Sequence, residues 1–502
     1  MKILIANRGE IAVRIMRACR EMGLPTVAVY SDCDRDARHV READQAVHIG
    51  PSEASRSYLR IDALVDAARR AGADAVHPGY GFLAEHAAFA RACREAGLTF
   101  IGPTPEAIAL MGSKTAARAE AIRAGVPVVP GTERPFDAGA SDPEIARAAD
   151  TIGYPLLVKA VAGGGGKGMR AVEAAPALPA AVAMARSEAG SAFGDASIYL
   201  ERRIVQPRHV EIQLLGDQHG TVVPFVEREC SIQRRHQKVV EESPSSAVNG
   251  ALRVRMAEAA ASVARAVGYT SAGTIEFLLD KDGSFYFLEM NTRLQVEHPV
   301  TEMVTSVDLV QWQIRIARGE RLDIDPVSAL TPHGHAIECR IYAEDPDRGF
   351  MPSPGLIRGL RPAAGPGVRD DGGVAAGYTV PVYYDSMIAK LIAWGSTRDE
   401  AVSRMSRALR EYQVLGIRTT IPFFLWLMRQ PEYRAGEYDT TYLDRLLAER
   451  QGLSFSELDA GEQELAAMSA ALDAYMRAGA GAPAAASCSG WAQAARREAL
   501  RE

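Results

Sequence analysis

Two strand-like runs flank Asp282-Gly283, a dipeptide favoured in tight hairpin turns: Gly273–Leu279 (GTIEFLL) before it and Ser284–His298 (SFYFLEMNTRLQVEH) after it. With that pair as a two-residue loop, Lys281 faces Ser284 and Glu276 faces Glu289. Like charges directly across a ladder destabilise it unless something positive lies between them. A divalent, oxygen-seeking cation meets that need, with Asn291 as a third oxygen ligand. A solvated polar strand face is the alternative. The two-residue period puts Tyr286, Leu288, Met290, Thr292, Leu294 and Val296 on one nearly apolar face. Phe285, Phe287, Glu289, Asn291, Arg293, Gln295 and Glu297 share the other face.

The N-terminal hundred residues alternate differently. Strand patterns at Lys2–Ala6, Pro25–Tyr30, Ala73–His77 and Thr99–Ile101 are interleaved with helical patterns at Ile11–Met22, Tyr58–Ala71 and Glu85–Ala96. This spacing predicts a doubly wound parallel sheet. No GxGxxG follows the first strand, so a dinucleotide is not expected there. A helical pattern over Pro105–Ala124 leads into residues 125–131 (GVPVVPG), which read as part of a linker. The expected organisation is an N-terminal domain at 1–112, a linker at 113–131 and a small α+β module at 132–203. An antiparallel core at 204–333, a mixed domain at 334–446 and an Ala-rich tail at 447–502 follow. Glu462–Arg477 in that tail reads as a solvated or partner-binding helix, and Gly479–Gly490 as a low-complexity interruption.

The net charge of −6 gives no electrostatic case for nucleic acid or an anionic membrane. Six cysteines without a CxxC pair suit a reducing cytosol and speak against zinc. The absence of a signal-like start or a long apolar run leads to the expectation of a soluble, cytoplasmic protein.

Three further stretches carry chemistry. In Tyr154–Arg170 (YPLLVKAVAGGGGKGMR), Gly163–Gly166 permit close backbone approach and an anion-binding nest. It is not a P-loop, because Gly168 follows Lys167 where Ser or Thr is required. Lys159 ends an apolar strand and calls for an anion. Cys230–Glu242 (CSIQRRHQKVVEE) gathers Arg234, Arg235, His236 and Lys238, either a solvated basic face or a holder of a phosphorylated or carboxylated substrate. Arg340 sits mid-strand in Ala336–Ala343 (AIECRIYA), so it is buried and paired or aimed into a site.

Taken together, IANRGEIAVRI (5–15), HPGYGFLAE (77–85), MGSK (111–114), GGGGKGMR (163–170), PRHVEIQ (207–213), CSIQRRHQKVVEE (230–242), FLEMNTRLQVEHPVTE (287–302), ECRIYAEDP (338–346) and GYTVPVYYDSMIAKL (377–391) resemble the biotin carboxylase family of the ATP-grasp superfamily. The resemblance spans residues 1–446. It implies an α/β and α+β protein: a pre-ATP-grasp parallel sheet, an ATP-grasp domain whose 132–203 module is a mobile lid, and a C-terminal mixed domain. It implies that Lys114, Lys159 and the Gly165-Gly166 loop hold the phosphates of ATP, with Met169 also at the nucleotide. Glu201, Arg202, Arg203 and Ile204 would form the adenine hinge, with His209, Gln233 and His236 nearby. Glu276, Glu289 and Asn291 would bind Mg²⁺ or Mn²⁺. Lys238, Arg293, Gln295 and the backbone of Val296 would hold bicarbonate, Glu297 would deprotonate it, and Arg340 would stabilise the biotin enolate.

The reaction so implied is ATP- and bicarbonate-dependent carboxylation of biotin through carboxyphosphate. No Met-Lys-Met biotinylation motif occurs, so the biotin is expected on a separate carrier protein. The chain would then be one component of an acetyl-CoA/acyl-CoA carboxylase, as in fatty acid biosynthesis, working with a carboxyltransferase. A two-subunit pyruvate carboxylase is the neighbouring reading. A catalytically silent, ATP-binding component is the reading from another class. The resemblance also implies a homodimer, with Arg17 and Glu21 as contacts. Thr440 stands where the family carries an aliphatic adenine-pocket residue, which would soften ATP affinity.

Overall fold

The computed structural model describes residues 1–132, 134–161, 169–193, 195–450, 452–455 and 460–479. One compact unit spans Met1–Leu453, and a second begins at Ser454. In the second, the helix Ala460–Gly479 exposes Leu465, Met468, Leu472, Tyr475 and Met476. No helix among the described residues is long and apolar enough to cross a membrane.

The large unit begins with the expected parallel sheet. Strands β1 (Ile3–Ile5), β2 (Thr26–Ser31), β3 (Gln45–Gly50), β4 (Ala75–His77) and β5 (Thr99–Phe100) lie in the order β3-β2-β1-β4-β5. Ile3, Ile5 and Ala28 pack under the helix Gly9–Glu21, and Leu4, Val27 and Val29 face the helices Ile61–Ala71 and Ala87–Glu95. Strand β3 escapes the sequence pattern because it is a mostly exposed edge with only Ile49 deeply buried. The helix expected over Pro105–Ala124 is two helices, Pro105–Gly112 and Lys114–Arg123. Ser113 leaves helical geometry between them, and its Oγ accepts from the Ala116 amide as a new N-cap.

Strands β6 (Leu156–Ala160), β7 (Met169–Val172) and β8 (Ile198–Arg202) form a separate antiparallel sheet in the order β7-β6-β8. Leu156, Val158, Ile198 and Leu200 pack it against the helices Asp142–Ile152 and Leu178–Phe193. The expected glycine loop, including Gly165 and Gly166, lies outside the described residues.

The remaining scaffold is one antiparallel sheet of eight strands. Its members are β9 (Arg208–Gly216), β10 (Val222–Arg234), β11 (Gln237–Ser243), β12 (Ser271–Leu279), β13 (Phe285–Asn291), β14 (His335–Tyr342), Val368–Gly372 and Met387–Gly395. They run β13-β12-β9-β10-β11-β14 and then through Met387–Gly395 to Val368–Gly372. The sheet continues across residues 333 and 334, so the antiparallel core and the mixed region share one hydrogen-bonded surface.

The β12–β13 hairpin departs from the expected turn. The Asp280 amide donates to the Ser284 carbonyl, so Lys281, Asp282 and Gly283 make a three-residue loop, with Gly283 left-handed at φ +80°. Lys281 therefore does not pair with Ser284. Phe277 faces Phe287, but Glu276 faces Glu289, because Leu288 is the extra residue of a bulge. The bulge restores the carboxylate pairing that the wrong loop length had implied. It also flips the side-chain parity: Phe285 and Phe287, expected beside Glu289, instead enter the core with Met290. Strand β13 stops at Asn291, so Arg293, Gln295 and Glu297 do not share a strand face. Residues 292–297 form a connection, and Glu297 is the N-cap position of the helix His298–Thr305. The sequence signal for that break is Pro299 in the helix's first turn.

Candidate functional site

Strands β9, β10, β11 and β12 and the 292–297 connection converge on one buried charge cluster. Lys238 Nζ, from β11, donates to Glu211 Oε2 at 2.7 Å, Glu276 Oε1 at 2.8 Å and Glu297 Oε1 at 2.8 Å. Burial alone would lower the affinity of this ammonium for its proton, but Glu211, Glu276 and Glu297 hold it well above its ordinary range. The other Glu297 oxygen, Oε2, accepts from Arg340 Nη2 at 2.9 Å. Burial opposes ionisation of Glu297. Lys238, Arg340 and Arg228 nevertheless keep its carboxyl well below the usual range, so it stands as an anion between two cations. Such a carboxylate is ready to accept a proton from a molecule that displaces one of its partners.

Arg228 was not anticipated. It is fully buried and donates to Glu211 Oε1 at 2.5 Å, Gln213 Oε1 at 2.8 Å, Thr301 Oγ1 at 2.9 Å and Thr274 Oγ1 at 3.1 Å. It binds three strands and the Thr301 helix into one frame. Its signal in the sequence is a charged triplet, Glu227-Arg228-Glu229, inside an otherwise apolar strand run.

Arg293 lies at the edge of the cluster. Its Nε donates to Glu85 Oε2 at 2.8 Å, Nη1 to Gln295 Oε1 at 2.6 Å and Nη2 to Asn291 Oδ1 at 3.0 Å. Gln295 Nε2 and Asn291 Nδ2 both donate to Glu276 Oε1, at 3.3 and 2.9 Å. The Val296 carbonyl accepts from the buried Lys390 Nζ at 2.8 Å, which fixes the peptide next to Glu297. Arg293, Val296 and Arg340 line a cleft of about 510 Å³ whose aromatic walls include Tyr80, Phe82 and Tyr383. A planar, partly apolar molecule fits such a cleft, with Arg293 and Arg340 as cationic groups in its wall. A second cleft of about 380 Å³, at the start of β9 and the end of β12, is lined by Arg208, Leu279, Asp280, Lys281, Glu437 and Tyr438.

A divalent cation fits the Glu276–Glu289 pair. Lys238 compensates Glu276, whereas Glu289 has no hydrogen-bond or ion-pair partner among the described residues. Burial, and then the Glu276 charge, push its carboxyl up. Two hard oxygen donors with an uncompensated charge are the donor set of Mg²⁺ or Mn²⁺. Asn291 has both amide atoms engaged by Glu276 and Arg293, so it would contribute its oxygen only by sharing it. His209, Glu211 and Glu276 also approach one another closely, but Glu211 is already neutralised by Arg228 and Lys238.

Of the expected nucleotide residues, His209 and Gln233 adjoin the cluster. His209 Nε2 lies 3.0 Å from Glu276 Oε2, and its Nδ1 lies 3.2 Å from Gln233 Nε2. Lys159 on β6 pairs with Glu201 on β8, so the anion it called for is supplied by the chain itself. Met169 stands directly across the ladder from Lys159. Ile204 is buried, while Arg202 donates to the Tyr286 hydroxyl and Arg203 pairs with Glu173. Lys114 is exposed at the start of its helix, and His236 is exposed at the tip of the β10–β11 hairpin with φ +65°. Thr440 is half-buried, and its amide donates to the Pro207 carbonyl just past the hinge.

Residues 1–108 match the description "Biotin carboxylase, N-terminal domain", residues 113–325 "Carbamoyl-phosphate synthase L chain, ATP binding domain", and residues 338–445 "Biotin carboxylase C-terminal domain". The chain belongs to the biotin carboxylase family. A biotin carboxylase of Nostoc sp. is 53% identical over 445 residues, covering 89% of this chain and 99% of that one. A pyruvate carboxylase subunit of Methanothermobacter thermautotrophicus is also 53% identical, over 444 residues, covering 88% of this chain and 89% of that one. Among solved structures, the biotin carboxylase domain dimer of Hydrogenobacter thermophilus 2-oxoglutarate carboxylase has a TM-score of 0.82 at 46% identity. The match covers 91% of this chain and 99% of that one, and that structure holds MgADP, ADP and bicarbonate. The family's fold, with its ATP-grasp core, is the fold described above, and the chain is an ATP-dependent ligase of the biotin carboxylase type.

Proposed function

We propose that this biotin carboxylase carboxylates biotin on a separate carrier protein, using ATP and bicarbonate, as one component of an acetyl-CoA or other acyl-CoA carboxylase. The observation that carries the reading is Glu297, held as an anion between Lys238 and Arg340, with Arg340 itself in the wall of an aromatic cleft.

Lys238, Arg293, Gln295 and the Val296 backbone hold bicarbonate beside Glu297, which accepts its proton and frees an oxygen to attack the γ-phosphorus of ATP. That attack breaks the bond to the β,γ-bridging oxygen and releases ADP with formation of carboxyphosphate. Positioning of this weak nucleophile supplies much of the rate. Lys114, Lys159 and the Gly165-Gly166 loop bind the phosphates, and Glu201–Ile204, Met169, His209, Gln233 and His236 surround the nucleotide. Lys159 reaches the phosphates by exchanging Glu201 for them. Glu276, Glu289 and Asn291 would hold Mg²⁺ or Mn²⁺, which would neutralise charge developing on the phosphates. The carboxyphosphate breaks to CO₂ and phosphate, phosphate takes the N1′ proton of biotin, and the ureido nitrogen captures CO₂. Arg340 faces the enolate oxygen that loss of the N1′ proton creates, before the nitrogen captures CO₂. Closure of the 132–203 module excludes water that would hydrolyse the intermediate. The enzyme acts as a homodimer, with Arg17 and Glu21 at the contact.

A second reading makes this chain the biotin carboxylase component of a two-subunit pyruvate carboxylase. It is favoured by the equal identity to the pyruvate carboxylase chain of Methanothermobacter thermautotrophicus. Labelled bicarbonate supplied with ATP, the cognate carrier and the transferase separates the two. Label transferred to acetyl-CoA or another acyl-CoA supports the first reading. Label transferred to pyruvate alone overturns it in favour of the second.

A further inference from the structure

Behind Arg340 lies a pair of carboxyl groups that the mechanism does not use. Glu241 on β11 and Glu338 on β14 are directly opposite each other across the ladder, and both are wholly buried. Like charges in that position destabilise a sheet unless a cation or a proton intervenes. None of their four oxygens receives a hydrogen bond among the described residues. Among the described residues, the one close ionic contact is Arg340 Nη2 to Glu241 Oε1, at 2.5 Å and off the hydrogen-bond line. Lys390, across the ladder from Arg340, sends its ammonium elsewhere, to the Val296 carbonyl at 2.8 Å and toward Glu10 Oε2 at 3.3 Å.

The same Arg340 nitrogen lies 2.9 Å from Glu297 Oε2, so the guanidinium is strung between Glu297 in the site and Glu241 behind it. The charged groups around the pair are Arg340, Lys390, Lys238 and Glu297, with Glu10 beyond Lys390. Were Glu241 and Glu338 both ionised, Arg340 would face more negative charge than it carries and would have little left for an anion in the cleft. Burial raises both carboxyls, Glu338 the more strongly.

We propose that Glu241 is the positioning residue for Arg340, and that Glu338 stands opposite it as the neutral, protonated member of a single-proton pair. The pair fixes the guanidinium from behind while leaving its charge available to the cleft. This rests on the reading of Arg340 as the group that faces the biotin enolate.

The full-length enzyme tests it through two rates: ADP release with ATP and bicarbonate alone, and the increment on adding biotin. Glu338→Gln imitates the protonated acid, and both rates and their pH profiles should stay within about twofold of the parent. Glu241→Gln removes the rear anchor, so the biotin-dependent kcat should fall by about tenfold or more, as expected for a misplaced catalytic group. The KM for ATP should move little, and the biotin-independent rate, which feels Arg340 only through its contact with Glu297, should fall clearly less than the biotin-dependent one. Glu241→Asp keeps the charge but withdraws it by one methylene, and should show the same split if Glu241→Gln does not fold. Equal loss of both rates in the Glu241 variants would make the residue merely structural and overturn the proposal. So would a collapse of activity in Glu338→Gln, which would mean that Glu338 works as an anion. If the unsubstituted enzyme shows no biotin-dependent increment, the reading of Arg340 fails first and takes the proposal with it.

Discussion

Asp34 shows how much one buried carboxylate contributes to this molecule. It is fully buried and accepts from Arg8 at 2.7 and 2.8 Å, from the Tyr58 hydroxyl at 2.7 Å and from the Tyr378 hydroxyl at 3.0 Å. Burial raises its carboxyl, but Arg8 outweighs that and holds it at about 2. Because the folded pKa is depressed, the group stabilises the fold fully above the unfolded value near 3.8 and loses that effect as pH falls toward 2. Asp34→Asn should therefore cost about 2 kcal/mol at pH 7, and the deficit should shrink to near zero as the pH approaches 2. Chemical denaturation across pH measures it, and a deficit that grows on acidification contradicts the assignment. Legibility at this scale was uneven. Glu276 and Arg340 stood out in the sequence because charges in strand-like runs need partners, Lys238 stood out as part of a basic cluster, and the role of Glu297 came through the family resemblance. Arg228, Glu241 and Glu338 did not stand out, because their role depends on which strands lie side by side, and β11 reaches β14 only across about a hundred residues of chain.

Among the elements, the β12–β13 hairpin carries the most informative disagreement. The facing of Glu276 and Glu289 was inferred from a two-residue turn, whereas the turn has three residues. The bulge at Leu288 absorbed the difference, and no local pattern marks a bulge inside an apolar run. The helix Gly9–Glu21 makes a contact that the sequence hides entirely. Gly373, just after Val368–Gly372, lies so close to the helix start that a Cβ there would sit 2.4 Å from the Glu10 nitrogen and 2.8 Å from the Gly9 carbonyl carbon. Both atoms are backbone and cannot swing aside, and Gly9 and Glu10 line the aromatic cleft. Gly373→Ala should lower the melting temperature by several degrees, consistent with a cost of about 1–3 kcal/mol. It should also raise the KM for biotin more than that for ATP. Unchanged biotin kinetics would mean that the helix start does not shape the cleft.

The whole molecule divides where its contacts divide. The unit ending at Leu453 contains the parallel sheet, the eight-stranded sheet and the charge cluster, and the family match ends at residue 445. Truncation after Leu453 should leave bicarbonate-dependent ADP release within about twofold of the full chain, since no group of the proposed reaction lies beyond it. A large loss would give the exposed helix Ala460–Gly479 a part in turnover. The parallel sheet was readable because strand and helix alternate at short range, whereas the continuity of the eight-stranded sheet across residues 333 and 334 is a long-range pairing that periodicity does not encode. The central claim is that Glu297 is the base for bicarbonate. ADP release from ATP and Mg²⁺, with and without bicarbonate and biotin, tests it most directly when Glu297→Ala is run beside the parent. The account predicts biotin-stimulated, bicarbonate-dependent turnover in the parent and a loss of at least about a hundredfold in the variant, with nucleotide binding retained. Turnover that survives in Glu297→Ala with the same bicarbonate dependence would contradict it.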